Sequence, residues 1–182
     1  MQPELKSISK FLSLVLRHDP QRIGLTMDDA GWVRVDELLQ QAAAHGQEID
    51  GATLDEVVGT NDKKRFAFSA DGTRIRASQG HSVAVDLGLE PLAPPPELFH
   101  GTATRFLESI LSEGLDGRAR THVHLSADVE VAVQVGQRHG RPVVLSVAAR
   151  AMAIEGFDFY RSENGVWLTR AVPPRFLTTL DR

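Results

Sequence analysis

The chain has 182 residues, no cysteine and a formal net charge of −4 at pH 7. Disulfide bonds and thiolate metal sites are therefore excluded, and the acidic balance argues against a long electrostatic groove for nucleic acid. The first residues contain no apolar signal core, and no apolar run is long enough to cross a bilayer. We therefore expect a cytoplasmic protein that has no membrane partner.

The first half of the chain begins with a helix and a short strand. Apolar residues recur every three or four positions from Leu5 to Leu16, which predicts a helix that ends before Pro20. A short strand is predicted at residues 31–35.

Two more helices are predicted from their capping patterns. Asp36 is a candidate N-cap for the second helix, and Gly46 is a candidate for its end. The letters TLDE, which begin at Thr53, have the pattern of a capping box for a third, short helix.

Residues 63–78 predict a β-hairpin that turns at Asp71-Gly72. A two-residue loop puts Phe68 opposite Ile75 on the buried face. The other face collects cationic side chains, namely Lys63, Arg65, Arg74 and Arg76. Three helices followed by a hairpin form the plan of a winged helix, a common nucleic-acid-binding module. The basic face suits one or a few phosphates, and a solvated hairpin face is the alternative interpretation.

A proline-rich stretch divides the chain into two lobes. Four prolines in the six positions from Pro91 to Pro96 favour polyproline II and exclude a helix or a central strand. We predict a first lobe at residues 1–88, a linker at residues 89–97 and a second lobe at residues 98–182.

The second lobe mixes strands with few crossover helices, which indicates an α+β fold rather than a doubly wound sheet. One helix is predicted from Thr104, as its cap, to Gly114, and another at residues 128–140. Strands are predicted at residues 98–103, 122–126, 142–149, 157–160 and 165–169.

His122 and His124 flank a valine in RTHVHLSAD, and side chains two apart on a strand share a face. The residues alone leave three interpretations open: a metal site, an organic ligand, or structural and surface histidines. A zinc site needs a third protein ligand. His18, His100 and His139 are available, but no H-x-x-x-H or H-E-x-x-H motif and no acidic cluster supports them.

LRHDP puts Arg17 and His18 at the end of the first predicted helix. The helix dipole favours cations there, so charge complementarity is one interpretation and ligand contact is another. The chain has no G-x-G-x-x-G, G-x-x-x-x-G-K-[ST] or G-x-S-x-G motif. A nucleotide would therefore not be held in a Rossmann or P-loop manner.

Six motifs in chain order resemble the RNA 2′-phosphotransferase family, the KptA-type enzymes. They are LRHDP, NDKKRFAF, GHSV, FHGT, RTHVHLSAD and NGVWLT. The resemblance implies a winged-helix RNA lobe joined to an NAD-binding lobe of the ADP-ribosyltransferase fold. It also implies removal of an internal RNA 2′-phosphate with NAD as co-substrate and without metal. The products would be 2′-OH RNA, nicotinamide and ADP-ribose 1″,2″-cyclic phosphate, formed through an ADP-ribosylated RNA. We expect a monomer, although the sequence leaves the oligomeric state open.

The resemblance also implies which residues bind phosphate. The family's catalytic Arg-His-Arg-Arg set maps onto Arg17, His18, Arg65 and Arg120, and Lys63 shares the hairpin face with Arg65. Guanidinium groups suit this task because they form forked hydrogen bonds to phosphate oxygens. His18 is the candidate for proton transfer because only imidazole titrates near neutral pH.

FHGT resembles the first motif of ADP-ribosyltransferases. His124 falls where members of that superfamily carry a tyrosine that stacks on nicotinamide. Val166 falls near their catalytic glutamate, and a valine there favours an RNA phosphate over a protein acceptor. The resemblance thus implies six NAD contacts, namely His100, Gly101, Thr102, His124, Ser126 and Val166. The role of His122 stays open.

One departure and two alternative functions remain. RASQ precedes GHS where the family is expected to read closer to RANQ, so Ser78, predicted opposite Arg65, is expected to alter a hydrogen bond there.

The first alternative function is ADP-ribosylation of nucleic-acid terminal phosphates. The second is a non-catalytic module that binds RNA or NAD.

Overall fold

A computed structural model describes residues 3–180 of the chain. The fold is mixed α+β, with six α-helices and small antiparallel sheets in that range. The chain divides into two compact units, Met1–Gly88 and Leu89–Arg182. None of the helices among the described residues is both long and apolar enough to span a membrane.

The first unit contains three helices and one three-stranded sheet. Its elements are α1 (Pro3–Arg17), β1 (Val33–Arg34), α2 (Val35–Ala44), α3 (Gly51–Gly59), β2 (Phe66–Phe68) and β3 (Arg74–Ala77). A 3₁₀ turn, Pro20–Ile23, follows α1. The strand order is β1-β3-β2, and both pairs are antiparallel.

The predictions for α1 and for the hairpin are confirmed. Leu12, Val15 and Leu16 of α1 are fully buried because they lie on its apolar stripe. In the hairpin, Phe68 pairs with Ile75 as the two-residue loop predicts. The local apolar pattern therefore predicts both the helix of α1 and the register of the hairpin strands.

The three predicted N-caps are wrong. α2 begins at Val35, so Asp36 lies inside its first turn, where the carboxylate pairs with Arg34. α3 begins at Gly51, and Asp50 caps it by accepting the backbone N–H of Thr53 at 2.7 Å. Thr104 is the first residue of a 3₁₀ turn without a side-chain cap. The N-cap residues of the two α-helices, Arg34 and Asp50, lie two and three positions before the predicted ones.

The second unit contains three further helices and three small sheets. Its elements are β4 (Leu98–Ala103), α4 (Leu107–Glu113), β5 (Leu115–Asp116), β6 (Val123–Leu125), α5 (Val129–Gln137), β7 (Pro142–Val147), α6 (Ala149–Ile154), β8 (Tyr160–Arg161), β9 (Trp167–Thr169), β10 (Ala171–Val172) and β11 (Leu177–Thr179). The strand orders are β11-β7-β4, β6-β9-β8 and β10-β5, all antiparallel. The elements that the sequence patterns did not predict, β5, α6, β10 and β11, are six residues long or shorter.

The proline-rich stretch forms no helix or strand, as predicted, and it rests on the second unit. The Leu92 N–H donates to the Phe159 carbonyl at 2.8 Å, and the Pro96 carbonyl accepts the Arg150 N–H at 3.3 Å. These bonds hold residues 92–96 against their own unit, so the stretch is not a free tether.

Candidate active site

Arg17 ends α1 and is held there by the chain that follows the hairpin. Its carbonyl accepts the N–H groups of Ser82 at 2.9 Å and Val83 at 3.4 Å. Its Nη2 atom donates to the Arg65 carbonyl at 3.4 Å, and its Cζ atom lies 5.9 Å from the ring centroid of Phe66. The structure therefore brings the predicted residues Arg17 and Arg65 together.

His18 is exposed, and its imidazole is oriented by Ser82. The Nδ1 atom of His18 lies 2.9 Å from the Ser82 hydroxyl, a hydrogen-bond distance. Because this hydrogen bond occupies Nδ1, we assign proton exchange with a substrate to Nε2. Ser82 lies in GHSV, a motif to which the sequence patterns assigned no role.

Arg65 and Lys63 share one buried partner, Asn61, whose side chain is 4% exposed. The Asn61 carbonyl oxygen accepts the Lys63 backbone N–H at 3.1 Å and Nη1 of Arg65 at 3.2 Å. Its amide nitrogen donates to the hydroxyl of Ser9 on α1 at 3.5 Å. One buried amide thus positions both hairpin cations relative to α1. We call Arg17, His18, Lys63 and Arg65 the basic cluster.

Ser78 supports the backbone of the same stretch. Its N–H donates to the Arg65 carbonyl at 2.9 Å, which agrees with the predicted pairing of these residues. Its hydroxyl donates to the Lys64 carbonyl at 2.8 Å. Lys64 has a φ of 41°, which costs energy in a non-glycine residue, so this hydrogen bond helps to hold a strained position.

The other two hairpin arginines pack on an aromatic ring. The Cζ atoms of Arg76 and Arg74 lie 4.5 Å and 5.5 Å from the ring centroid of Trp32. Arg74 also pairs with Asp28 at 3.6 Å. Arg74 therefore has partners distinct from those of Arg65, although the sequence pattern assigned them to one face.

His81 lies within the electrostatic field of these cations. Its side chain is 2% exposed, and burial together with the charges of Arg17, Arg76 and His18 lowers its pKa to about 4. His81 is therefore neutral at pH 7. Its buried Nε2 atom has no hydrogen-bond partner among the described residues. Burial is the larger cause, and the positive charges that add to it also attract an anion.

In the second unit, His122 and His124 share a face as predicted. Val123 and Leu125, which alternate with them, are only 3% and 2% exposed. The His122 ring packs edge-on against Tyr160, with centroids 5.7 Å apart. Burial and then the charge of Arg170 lower the pKa of His122.

Arg120 contacts His124 directly. The Nη1 atom of Arg120 lies 3.1 Å from Nδ1 of His124. A guanidinium can only donate, so His124 accepts at Nδ1 and is neutral with its proton on Nε2. Desolvation lowers the pKa of Arg120, although an arginine remains charged at neutral pH. The structure thus pairs two residues that the sequence assigned to different substrates.

His100 joins the same group from β4. Its Nδ1 donates to the His124 carbonyl at 3.2 Å, and burial lowers its pKa. Neutral His100 therefore presents Nε2 as a hydrogen-bond acceptor. Thr102 is two residues further along β4, so its side chain shares that strand face. We call His100, Arg120, His122 and His124 the histidine cluster.

Packing explains the glycine of FHGT. A Cβ atom on Gly101 would lie 1.7 Å from the Ala132 carbonyl oxygen of α5, and one on Gly136 would lie 2.6 Å from the Thr102 carbonyl oxygen. The close approach of α5 to β4 therefore requires both glycines.

Ser126 and Val166 are tied into local backbone structure. Ser126 exchanges two backbone hydrogen bonds with Phe99, and its hydroxyl accepts the Asp128 N–H at 3.0 Å. Val166 lies just before β9 and donates its N–H to the Ser162 hydroxyl at 3.1 Å. These hydrogen bonds give both residues a structural role in shaping the second unit.

Among the described residues, no group of three or more His, Asp or Glu side chains is arranged to hold a metal ion. His122 and His124 instead have the neighbours Tyr160 and Arg120.

Comparison with known proteins gives the family. The family model described as "RNA 2'-phosphotransferase, Tpt1 / KptA family" matches residues 3–171. The chain belongs to this family. Three similar proteins each carry the name "Probable RNA 2'-phosphotransferase". That of Agrobacterium fabrum is 61% identical over 93% of this chain and 91% of its own length. Those of Hahella chejuensis and Acaryochloris marina are 56% and 52% identical, over 100% of this chain and 97% and 100% of theirs.

In this member of the Tpt1 / KptA family, the sequence patterns missed two positioning residues, Asn61 and Ser82. Both lie inside quoted motifs, NDKKRFAF and GHSV. A polar residue at the start of a motif otherwise rich in cations was the available signal for Asn61. Its contact with Ser9 spans 52 positions, and that of Ser82 with His18 spans 64, so local patterns could not reveal them.

Proposed function

We propose that this Tpt1 / KptA-family protein is an NAD-dependent RNA 2′-phosphotransferase. The family match over residues 3–171 carries the proposal, because it includes both the basic cluster and the histidine cluster. The relatives that are 52–61% identical carry the name "Probable RNA 2'-phosphotransferase", which supports the phosphotransferase part of the proposal. In the proposal, residues 1–88 form a winged-helix RNA-binding domain, residues 89–97 connect it, and residues 98–182 form an ADP-ribosyltransferase-like domain that binds NAD.

The basic cluster binds the RNA 2′-phosphate in this proposal. Arg17, Arg65 and Lys63 supply charge-assisted hydrogen bonds to phosphate oxygens. Burial and then the positive charges of Arg17, Arg76 and His18 lower the pKa of His81 to about 4, and these charges also attract an anion. Positioning is the main requirement for the first step, because the phosphate nucleophile is already ionised.

The histidine cluster binds the nicotinamide ribose end of NAD. The Nε2 atom of His100 accepts a ribose hydroxyl, and Thr102 contacts the same ribose from the same strand face. His124 lies against nicotinamide and donates from Nε2, the nitrogen that its Arg120 contact leaves protonated. Gly101, Ser126 and Val166 shape the surrounding backbone, which supports the proposal through packing.

In the first step, a 2′-phosphate oxygen attacks C1″ of the nicotinamide-bearing ribose. The new C1″–O bond forms as the C1″–N bond breaks, and neutral nicotinamide leaves with the bonding electrons. In the proposal Arg120, which contacts His124 at 3.1 Å, donates to the phosphate oxygens in this step. The product is RNA that carries ADP-ribose on its 2′-phosphate.

In the second step, the ribose 2″-hydroxyl attacks phosphorus and the bond from phosphorus to the RNA 2′-oxygen breaks. The products are 2′-OH RNA and ADP-ribose 1″,2″-cyclic phosphate. The proton moves from the 2″-hydroxyl to the departing 2′-oxygen, with His18 as the transfer group. Ser82 orients that imidazole, and the arginines stabilise charge on the phosphate oxygens.

The test is incubation of the protein with an oligonucleotide that carries one internal 2′-phosphate, with and without NAD and with a metal chelator. Mass spectrometry should detect 2′-OH RNA, nicotinamide and ADP-ribose 1″,2″-cyclic phosphate only when NAD is present. Chelation should not slow the reaction. No conversion with NAD would contradict the proposal. A stable ADP-ribosylated product from terminal phosphates, without reaction of internal 2′-phosphates, would support the alternative acceptor.

A further inference from the structure

The first unit also has a groove whose lining includes none of the residues of the basic cluster. This groove, of about 510 Å³, lies against α1, the 3₁₀ turn and the C-terminal end of α2. We call it the α1 groove. Its lining residues are Ser7, Lys10, Phe11, Leu14, Arg22, Ile23, His45 and Gln47.

The α1 groove combines an apolar floor with a cationic rim. Half-buried Phe11 and Leu14 form the floor together with buried Ile23. Exposed Lys10 and Arg22 carry positive charge on the rim. The eight lining residues, all within the described part of the chain, include no carboxylate. This polarity stands out because the whole chain has a net charge of −4.

The remaining rim residues supply hydrogen-bonding groups. The Nδ1 atom of His45 donates to the Gln41 carbonyl at 2.8 Å, which orients the ring at the end of α2. The Gln47 amide and the Ser7 hydroxyl lie along the same groove. Amide and hydroxyl groups of this kind contact phosphate and sugar oxygens, and such contacts require no particular sequence.

The α1 groove runs toward the basic cluster along one helix. Lys10 and Arg17 are seven residues apart, so they lie on nearly the same side of α1 and about 10 Å apart along its axis. Phe11, Leu14 and His18 follow each other at spacings of three and four and form a neighbouring stripe. One ligand strand can therefore follow α1 from the groove to the catalytic arginine.

We propose that the α1 groove binds a nucleotide of the single-stranded RNA that flanks the 2′-phosphate. The inference rests on the proposed function, because it treats the basic cluster as the site of the 2′-phosphate. A base lies on the floor against Phe11, and Lys10 and Arg22 contact the adjoining phosphodiester. At a stacked rise of about 3.4 Å per nucleotide, the groove lies about three nucleotides from the 2′-phosphate.

Charge and shape together favour RNA as the occupant. Nucleic-acid strands combine an anionic backbone with flat apolar bases, and proteins bind them with cations beside aromatic side chains. An apolar helix of a partner protein would fill the floor but would leave the cationic rim without anions. A free mononucleotide would fit the groove but would gain nothing from its alignment with Arg17 and His18.

The test compares two RNA lengths in the full-length protein. The variant is Lys10→Glu/Arg22→Glu, and the matched control is Lys6→Glu/Arg150→Glu, which makes the same charge change at exposed residues outside the groove. The substrates are a dinucleotide with a 2′-phosphate and an oligonucleotide of about ten nucleotides with a central 2′-phosphate. The dinucleotide is too short to reach the groove.

We expect the groove variant to raise KM for the longer RNA by about 10- to 100-fold, because two phosphate contacts become repulsive. The kcat value and the KM for the dinucleotide should match those of the control within about twofold. An equal rise for both substrates would overturn the inference, because Lys10 and Arg22 would then act at the reaction centre. A rise no larger than that of the control would also overturn it.

A binding measurement separates this inference from the proposed function. Fluorescence anisotropy with RNA that lacks a 2′-phosphate should show the same loss of affinity in the groove variant. If the wild-type protein binds RNA through the groove but removes no 2′-phosphate, the proposed function fails and the groove inference stands. If the groove variant instead shows normal turnover and unchanged affinity for RNA, the proposed function stands and the groove inference fails. Lys10→Gln/Arg22→Gln should show a smaller loss, which serves as a second readout if the glutamate variant does not fold.

Discussion

The basic cluster and the histidine cluster differ in how their side chains are set. In the basic cluster, the Arg17 guanidinium donates to the Arg65 carbonyl, and Nη1 of Arg65 donates to the buried amide of Asn61. The His18 imidazole is oriented by the Ser82 hydroxyl. In the histidine cluster, neutral imidazoles are given defined tautomers by one hydrogen bond each, at His100 and at His124. The positive charge of the basic cluster attracts an anion from any direction of approach. The histidine cluster distinguishes donors from acceptors and therefore suits an uncharged ribose and an amide.

The largest expected effect comes from removing a charge that the proposed function places on the reacting phosphate. Arg17→Ala and Arg120→Ala should each lower kcat by about a thousandfold, because charge that builds on phosphate oxygens loses a donor. Arg74→Ala is the matched control, since Arg74 pairs with Asp28 and packs on Trp32. Steady-state rates with a 2′-phosphorylated oligonucleotide provide the measurement. Comparable losses in Arg17→Ala and Arg74→Ala would remove the distinction between the basic cluster and the rest of the hairpin.

The second effect tests whether the histidine cluster reads NAD. His100→Ala should raise the KM for NAD by about 30-fold, because the ribose loses an acceptor and nearby polar groups lose a partner. The KM for RNA should stay within about twofold of the wild-type value. The control is His139→Ala, an exposed histidine outside the cluster. A KM change for RNA that equals the change for NAD would show that the two clusters do not divide the substrates.

A smaller effect is expected at the residue that orients His18. Ser82→Ala should lower kcat by about tenfold, because the imidazole loses the bond at Nδ1 that holds it. Ser82→Thr should restore most of the rate, since it retains the hydroxyl. The pH profile of kcat should also shift in Ser82→Ala if the bond tunes proton transfer by His18. An unchanged profile together with a loss that Ser82→Thr does not reverse would identify Ser82 as purely structural.

An effect of a different kind concerns stability and comes from His81. Its pKa is lowered to about 4 in the folded protein, against about 6.5 in the unfolded chain. Protonation therefore favours the unfolded chain. The stability contributed by neutral His81 is fully present above about pH 6.5 and is lost as the pH falls toward 4. The loss is on the order of 3 kcal/mol. His81→Gln should flatten the free energy of unfolding in this window, as measured by denaturant titration. Parallel pH curves for the two proteins would contradict the lowered pKa of His81.

Local sequence patterns were sufficient for several parts of the fold. The period of apolar residues predicts α1, and a two-residue turn predicts the pairing of Phe68 with Ile75. The alternation around Val123 predicts that His122 and His124 share a face. Each of these results depends on residues within about one helix turn or one hairpin of each other, where geometry is set by backbone period.

Local sequence patterns did not predict where helices start, and they did not predict very short strands. Asp36 and Thr53 match N-cap patterns, but both lie inside helices that begin earlier. β5 and β10 have two residues each, which is too short for a hydrophobic alternation to appear. They form because they pair with each other across more than fifty residues of chain.

The sequence by itself determined the family motifs, the cationic and histidine residue types and the local elements that carry them. Only the tertiary structure decided how these residues act together. Asn61 meets Arg65 and Ser9, Ser82 meets His18, and α5 approaches Gly101 too closely for any side chain. The contacts of Ser9, His18 and Gly101 join distant positions, and chain folding alone brings them within hydrogen-bond or van der Waals distance. The physical reason is that a local pattern records backbone period, whereas orientation, tautomer and pKa depend on neighbours that the fold supplies.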